Sequence, residues 1–114
     1  LIPDQFNDVA IELIKNEGCE ASIRSSASRC YYSAFLQARS LTDDVVLPDD
    51  FEGGSHQVVS EKVKRKFGPP YARLLKSMKK VRNVADYDID DPFSKAEAQK
   101  VMQMRRQLLN AIDK

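Results

Sequence analysis

The chain has 114 residues, of which 42% are hydrophobic and 31% charged, and its formal net charge is +1. That length supports one domain with one core, spanning residues 1–114, and the composition excludes both a disordered chain and a membrane-embedded one. No apolar run approaches the ~18 residues of a membrane span, and no basic-then-apolar secretory leader opens the chain, so the expected compartment is the cytoplasm. The chain begins at Leu1 rather than at methionine, and a short N-terminal piece is expected to precede it.

The apolar period predicts five helices and no strand. In the first, Phe6, Val9, Ala10, Leu13 and Ile14 fall at i, i+3, i+4, i+7 and i+8, and Gly18 is the expected C-terminal cap. The second runs from about Ser22 to Leu41. Its stripe of Ile23, Ala27, Cys30, Ala34, Ala38 and Leu41 is rich in small residues, so another helix can approach closely. This is the expected central helix, with the fourth as its main partner. The stretch from Thr42 to Gly54, with Pro48, a Gly-Gly pair and five acids, reads as a loop.

Ser55 is placed to cap a third helix carrying Val59, Val63 and Phe67, which ends at Gly68-Pro69-Pro70. The fourth carries Tyr71, Leu74, Leu75, Met78 and Ala85 on one face. A fifth begins at Ser94, where Glu97 completes a capping box, and continues through Ala98, Val101, Met102, Leu108, Leu109 and Ile112. The predicted fold is all-α: an antiparallel bundle of four main helices plus a short one. Ala27, Cys30, Ala34, Leu75 and Met78 are expected in its core. Cys19 and Cys30 have no close spacing and are expected as reduced thiols, one of them buried.

Charge is unevenly placed. Between Lys62 and Arg82 there are nine basic residues and no acidic one, while acids gather in the loops at 43–52 and 86–91. Lys62, Lys64, Arg65, Lys66, Lys79 and Lys80 can offer a polyanion such as RNA a local cationic surface, or they can form a solvated helix face neutralised by the acidic loops.

Within that block Arg82 follows Met78 by four residues and Leu75 by seven, at the edge of an apolar stripe, where a guanidinium needs an anion. Spacing allows an i,i+4 ion pair with Asp86 or a grip on a phosphate with the planar fork. His56, the single histidine, opens the third helix. It either bonds a neighbouring group there or, if it approaches Arg82 in space, supplies an acid–base group. In Ser28-Arg29-Cys30-Tyr31-Tyr32, Tyr31 lies in a core-type row with Ala27 and Phe35, Tyr32 faces differently towards a dimer partner or the Arg82 region, and Arg29 is expected to pair with an acid.

Asp86, Asp88, Asp90 and Glu97 match the spacing of an EF-hand loop, but the position of its glycine holds Asp91 and Pro92 follows, which steers the chain to extended geometry and away from calcium binding. A single histidine rules out the common zinc spacings, and no Gly-rich phosphate loop is present, so neither a metal nor a cofactor is expected.

Two motifs, Ser28-Arg29-Cys30-Tyr31-Tyr32-Ser33-Ala34-Phe35 and Arg82-Asn83-Val84-Ala85-Asp86-Tyr87, together with His56-x-x-Val59, resemble the HEPN family (higher eukaryotes and prokaryotes nucleotide-binding). The resemblance implies a small helical domain that forms homodimers and binds RNA or nucleotides. Many family members are metal-independent endoribonucleases of toxin or defence systems, with a signature arginine, a polar residue and then a histidine. Arg82 and Asn83 match that signature, and Tyr87 stands at the histidine position. Arg82 would stabilise the phosphorane-like transition state. A tyrosine with a pKa of ~10 is a poor base at neutral pH, so the acid–base role falls to Tyr87 as a donor or to His56. The resemblance leaves open a second function, a non-catalytic interaction module acting as antitoxin or adaptor to a nucleotidyltransferase.

Overall fold

Pro3 starts the first helix of the computed structural model, which describes residues 1–113, because proline lacks the N–H that a first-turn residue would leave unpaired. Five helices follow in order: α1 (Pro3–Ile14), α2 (Glu20–Leu41), α3 (Ser55–Phe67), α4 (Pro69–Tyr87) and α5 (Lys95–Ile112). The fold is an all-α helical bundle, with no strand among the described residues. No helix among them is long and apolar enough to cross a membrane.

The small-residue stripe of α2 makes it the centre. Ala27, Cys30, Ala34 and Ala38 are fully buried, and Leu75 and Met78 of α4 join them in the core. Close approach at alanine positions lets three helices pack around α2. Contrary to expectation, the most extensive partner of α2 is α1, followed by α5 and only then α4. Ser26 ties the first pair together by donating to the Ala10 carbonyl at 2.9 Å. Val9, expected to face inwards, is 47% exposed; Phe6, Ala10, Leu13 and Ile14 form the narrower buried or half-buried arc. Cys30 is buried and Cys19 half-buried, both as free thiols, and burial pushes the Cys30 thiol up to about 12.

Helix ends depart from the predicted caps in informative ways. The C-cap of α1 is Lys15, and Gly18 lies beyond it in the turn before α2. Gly54, not Ser55, is the N-cap of α3; the Gln57 side chain accepts its N–H at 2.9 Å. Ser94 does cap α5, but its hydroxyl contacts the Glu97 carboxylate at 3.4 Å instead of the backbone. Gly68 alone joins α3 to α4 with φ at +117°, a conformation that an L side chain resists. Pro69 and Pro70 then occupy the first turn of α4.

The other end of α4 is held by Arg24, a buried arginine of α2. Its Nη1 donates to the carbonyls of Val84 (3.1 Å), Ala85 (3.1 Å) and Asp88 (3.0 Å), and its Nη2 donates to that of Asp91. These include carbonyls that the last turn of any helix leaves without intrahelical donors, at the negative end of the helix dipole. Glu20 flanks the guanidinium at 3.5 Å and accepts the Phe93 N–H at 2.9 Å, while the Phe93 ring lies 5.5 Å from it. The Asp88–Asp91 segment is thus bound backbone-first to a cation. Its acids sit close together, and the Asp91 side chain holds the Asp88 carboxyl above its ordinary range.

Candidate functional site

Helices α3 and α4 bring His56 and Arg82 together. Both line an open groove with Lys79, Asn83, Val84, Tyr87 and Asp88. His56 sits on the first turn of α3, and Lys79, Arg82 and Asn83 recur at three- and four-residue spacing on α4, so one face of α4 presents them side by side. Three of the four residues singled out as catalytic from sequence lie on the fourth helix, and the His56 ring meets them across the inter-helix gap.

Arg82 is half-buried and makes the ion pair that its spacing allowed: Nε lies 2.8 Å from Asp86 Oδ2. The same carboxylate oxygen accepts the Ser28 hydroxyl at 3.0 Å, which fixes Asp86 from α2. Arg82 Nη1 donates to Asn83 Oδ1 at 3.3 Å, and the guanidinium carbon stands 6.0 Å from the Tyr31 ring centre and 5.7 Å from that of Tyr87. A guanidinium carries five N–H groups, and these contacts leave donors over for an anion in the groove. The structural and the phosphate-gripping readings of Arg82 are therefore compatible in one geometry.

His56 is anchored from behind. Its Nδ1 lies 2.6 Å from the Tyr31 hydroxyl, and its ring packs on Phe35 with centroids 4.5 Å apart. Burial holds the imidazole below its ordinary pKa, helped by the positive charges of Lys79 and Arg82. Burial likewise pushes the Tyr31 phenol up to about 12, so it stays protonated. Behind the ring a small cavity of about 50 Å³ is lined by Tyr31, His56, Gln57, Ser60, Leu75, Lys76 and Lys79.

Tyr87, the last residue of α4, is 72% exposed at the groove mouth, near exposed Val84 and Ile89. The remaining basic residues divide. Lys66 is engaged by Asp44 at 2.7 Å and the Leu41 carbonyl at 2.8 Å, and Arg65 lies 3.7 Å from Glu61. Lys64 and Lys80 are exposed and Lys62 half-buried, and none of the three has a hydrogen bond or ion pair among the described residues.

Two expectations for α2 are corrected. Tyr32 does not reach Arg82; it packs edge-on against Phe6 of α1 at 4.9 Å, and Tyr31 takes the place beside Arg82. Arg29 pairs with no acid among the described residues but stacks over Tyr32 and Phe6, at 5.5 and 5.9 Å. Sequence reasoning missed Arg24 and Ser60, and it named Ser28 without foreseeing its bond to Asp86. Ser28 and Tyr31 are three residues apart on the Phe35 face of α2, and a serine on an otherwise packed face was the one signal for it.

The chain is similar to an uncharacterized protein of Methanocaldococcus jannaschii, at 26% identity over 113 aligned positions. The match takes in 80% of this chain and 63% of the archaeal protein, so the chain spans less than two thirds of that relative's length. No known protein family's sequence profile matches the chain, and no solved structure matches it.

Proposed function

We propose that this chain is a HEPN-type RNA-binding domain whose α3–α4 groove seats an RNA phosphate on Arg82, with endoribonuclease chemistry available to the same site. The observation that carries the reading is the convergence of His56, Lys79, Arg82, Asn83 and Tyr87 on one open groove. In the cleavage step His56 takes the proton of a ribose 2′-hydroxyl, whose oxygen attacks the adjacent phosphorus. Arg82 and Lys79 balance the charge that grows on the phosphoryl oxygens. The 5′-oxygen leaves and acquires a proton from the Tyr87 phenol, an exposed donor in the groove, and a 2′,3′-cyclic phosphate remains. An imidazole held below its ordinary pKa stays neutral near pH 7 and is in the form a base needs.

A homodimer belongs to the proposal, since the family resemblance implies arginine motifs that meet across a two-fold axis. The exposed apolar side chains of Val84, on the groove, and Ile89 support such a contact. A role in a toxin or defence system follows only from the resemblance.

A second reading rests on a specific observation. The Arg82–Asp86–Ser28 network ties the arginine into the fold, which suits a non-catalytic interaction module, an antitoxin or an adaptor to a nucleotidyltransferase. Incubation with total RNA in EDTA, followed by mapping of the cut ends, separates the two. Cleavage by the wild type that Arg82→Ala abolishes is the expected result. RNA binding and cleavage that are both absent, with Arg82→Ala acting only on the melting temperature, would favour the interaction module.

A further inference from the structure

The proton between His56 Nδ1 and the Tyr31 hydroxyl, 2.6 Å apart, decides what the groove receives. If Tyr31 donates, a neutral His56 carries its own proton on Nε2 and can only donate to the groove. If Tyr31 accepts, Nδ1 holds the proton and Nε2 presents a lone pair. A phenol has one hydrogen, so the outcome depends on whether Tyr31 has a second acceptor for it.

Ser60 answers that need. It is only 4% exposed, and its Oγ is buried with no hydrogen-bond partner among the described residues. A buried hydroxyl left unpaired loses its hydrogen bonds to water with nothing in return. Ser60 lines, with Tyr31 and His56, the cavity of about 50 Å³ behind the ring, which has room for a water molecule. Of the other groups around the imidazole, Phe35 of α2 and the cations Lys79 and Arg82 of α4 offer no lone pair to Nδ1–H, and the side-chain oxygen of Gln57, on the same cavity, already accepts the Gly54 N–H at 2.9 Å. Tyr31 is the acceptor on that side.

We propose that Ser60, through a water in this cavity, takes the Tyr31 O–H, so that Tyr31 accepts from His56 Nδ1–H and Nε2 faces the groove as a base. Ser60 and Tyr31 are then positioning residues, and the use made of Nε2 rests on the RNA-cleaving reading above. In the base step the proton of the attacking hydroxyl goes to Nε2. The Nδ1–H bond to Tyr31 persists in the imidazolium, and no proton passes through Tyr31. Orientation of a base through its far nitrogen is the same logic that a carboxylate serves in a catalytic triad. Here a neutral phenol does it, and its own hydrogen has to be directed away.

Because the chain has a single histidine, its imidazole nitrogens are unambiguous in a long-range ¹H–¹⁵N correlation spectrum. At pH 8, on the uniformly labelled full chain without RNA, the Nδ1–H tautomer should exceed half of the neutral population, the reverse of free histidine. Ser60→Ala removes only a hydroxyl and should drop that tautomer below half; Tyr31→Phe should do the same. A wild type dominated by Nε2–H would overturn the proposal, as would a Ser60→Ala variant that keeps Nδ1–H. These two spectra decide the matter even if Tyr31→Phe does not fold. Failure of the RNA reading shows separately, as RNA binding and cleavage that are absent in the wild type while Arg82→Ala changes only the melting temperature, and it leaves the tautomer result standing.

Discussion

Arg24 and Ala85 are 61 residues apart in sequence, yet the Arg24 guanidinium donates to the Ala85 carbonyl at 3.1 Å. Through this bond and its three companions, the central helix dictates where α4 ends and how the following acidic segment turns. The site inherits its precision from that anchor, because Arg82, Asn83 and Tyr87 occupy the last two turns of α4.

Arg24→Ala should therefore destabilise the fold by about 3 kcal/mol, the scale for removing a buried hydrogen-bonded charge together with the carbonyls it satisfies. Arg24→Lys should recover little, since one ammonium cannot span four carbonyls. Chemical denaturation of the variants measures this, and hydrogen exchange should show the loss concentrated at residues 84–91. A loss below about 0.5 kcal/mol would mean that solvent satisfies those carbonyls equally well.

The sequence displayed the core and hid this anchor for one reason. Ala27, Cys30, Ala34, Leu75 and Met78 announce themselves by helical period, and all five are buried. The i,i+4 spacing of Arg82 and Asp86 likewise allowed for the ion pair they form, beside the alternative of a phosphate contact. Arg24, however, bonds mainly backbone carbonyls, which leave no residue-type signature. Tyr31 was legible as a core aromatic, but its hydroxyl partner His56 lies 25 residues away across a loop whose path the sequence does not determine. Val9 shows a further limit: periodicity gives the direction of the buried face and not its width.

His56 should titrate below the ordinary imidazole value of about 6.5, because its partly buried ring and the cations Lys79 and Arg82 disfavour the charged form. With the folded pKa depressed, its stabilising contribution is present above about pH 6.5 and is lost as the pH falls through the folded pKa. The melting temperature of the wild type should fall across that window, and His56→Gln should remove that part of the slope. Lys79→Gln deletes one of the two cations and should move the imidazole midpoint upward, which an NMR titration of the single histidine reads directly. An unmoved midpoint would place Lys79 too far from the ring to act on it.

RNA affinity should fall steeply with salt, and the structure ranks which charges matter. Lys66 and Arg65 are partly neutralised by Asp44 and Glu61. Lys79 lines the groove, and Lys64 and Lys80 are exposed. Replacing Lys62, Lys64, Lys79 and Lys80 by glutamine should flatten the log–log salt slope by about 0.7 for each single-strand phosphate that is no longer neutralised. Replacing Arg65 and Lys66 should change it less. Fluorescence anisotropy with a labelled oligoribonucleotide between low and moderate salt gives both slopes. Equal slopes in all variants would reduce the basic block to a solvated face.

Tyr87 permits the sharpest separation of chemistry from binding. Its ring is 72% exposed, so substitution there should alter stability by less than about 0.5 kcal/mol. Its centre lies 5.7 Å from the Arg82 guanidinium, within reach of whatever the arginine holds. If the phenol protonates the leaving 5′-oxygen, Tyr87→Phe should lower the cleavage rate at least tenfold and leave the affinity for RNA unchanged, since the ring and its stacking remain. Tyr87→Ala should lower both. Tyr87→His places an imidazole beside Arg82 and should raise cleavage, with a new pH dependence in the imidazole range that persists when His56 is replaced by glutamine. Equal cleavage by the wild type and Tyr87→Phe would assign the ring to stacking alone. RNA bound but left uncut by every variant, Tyr87→His included, would make the groove an RNA-binding surface without cleavage chemistry.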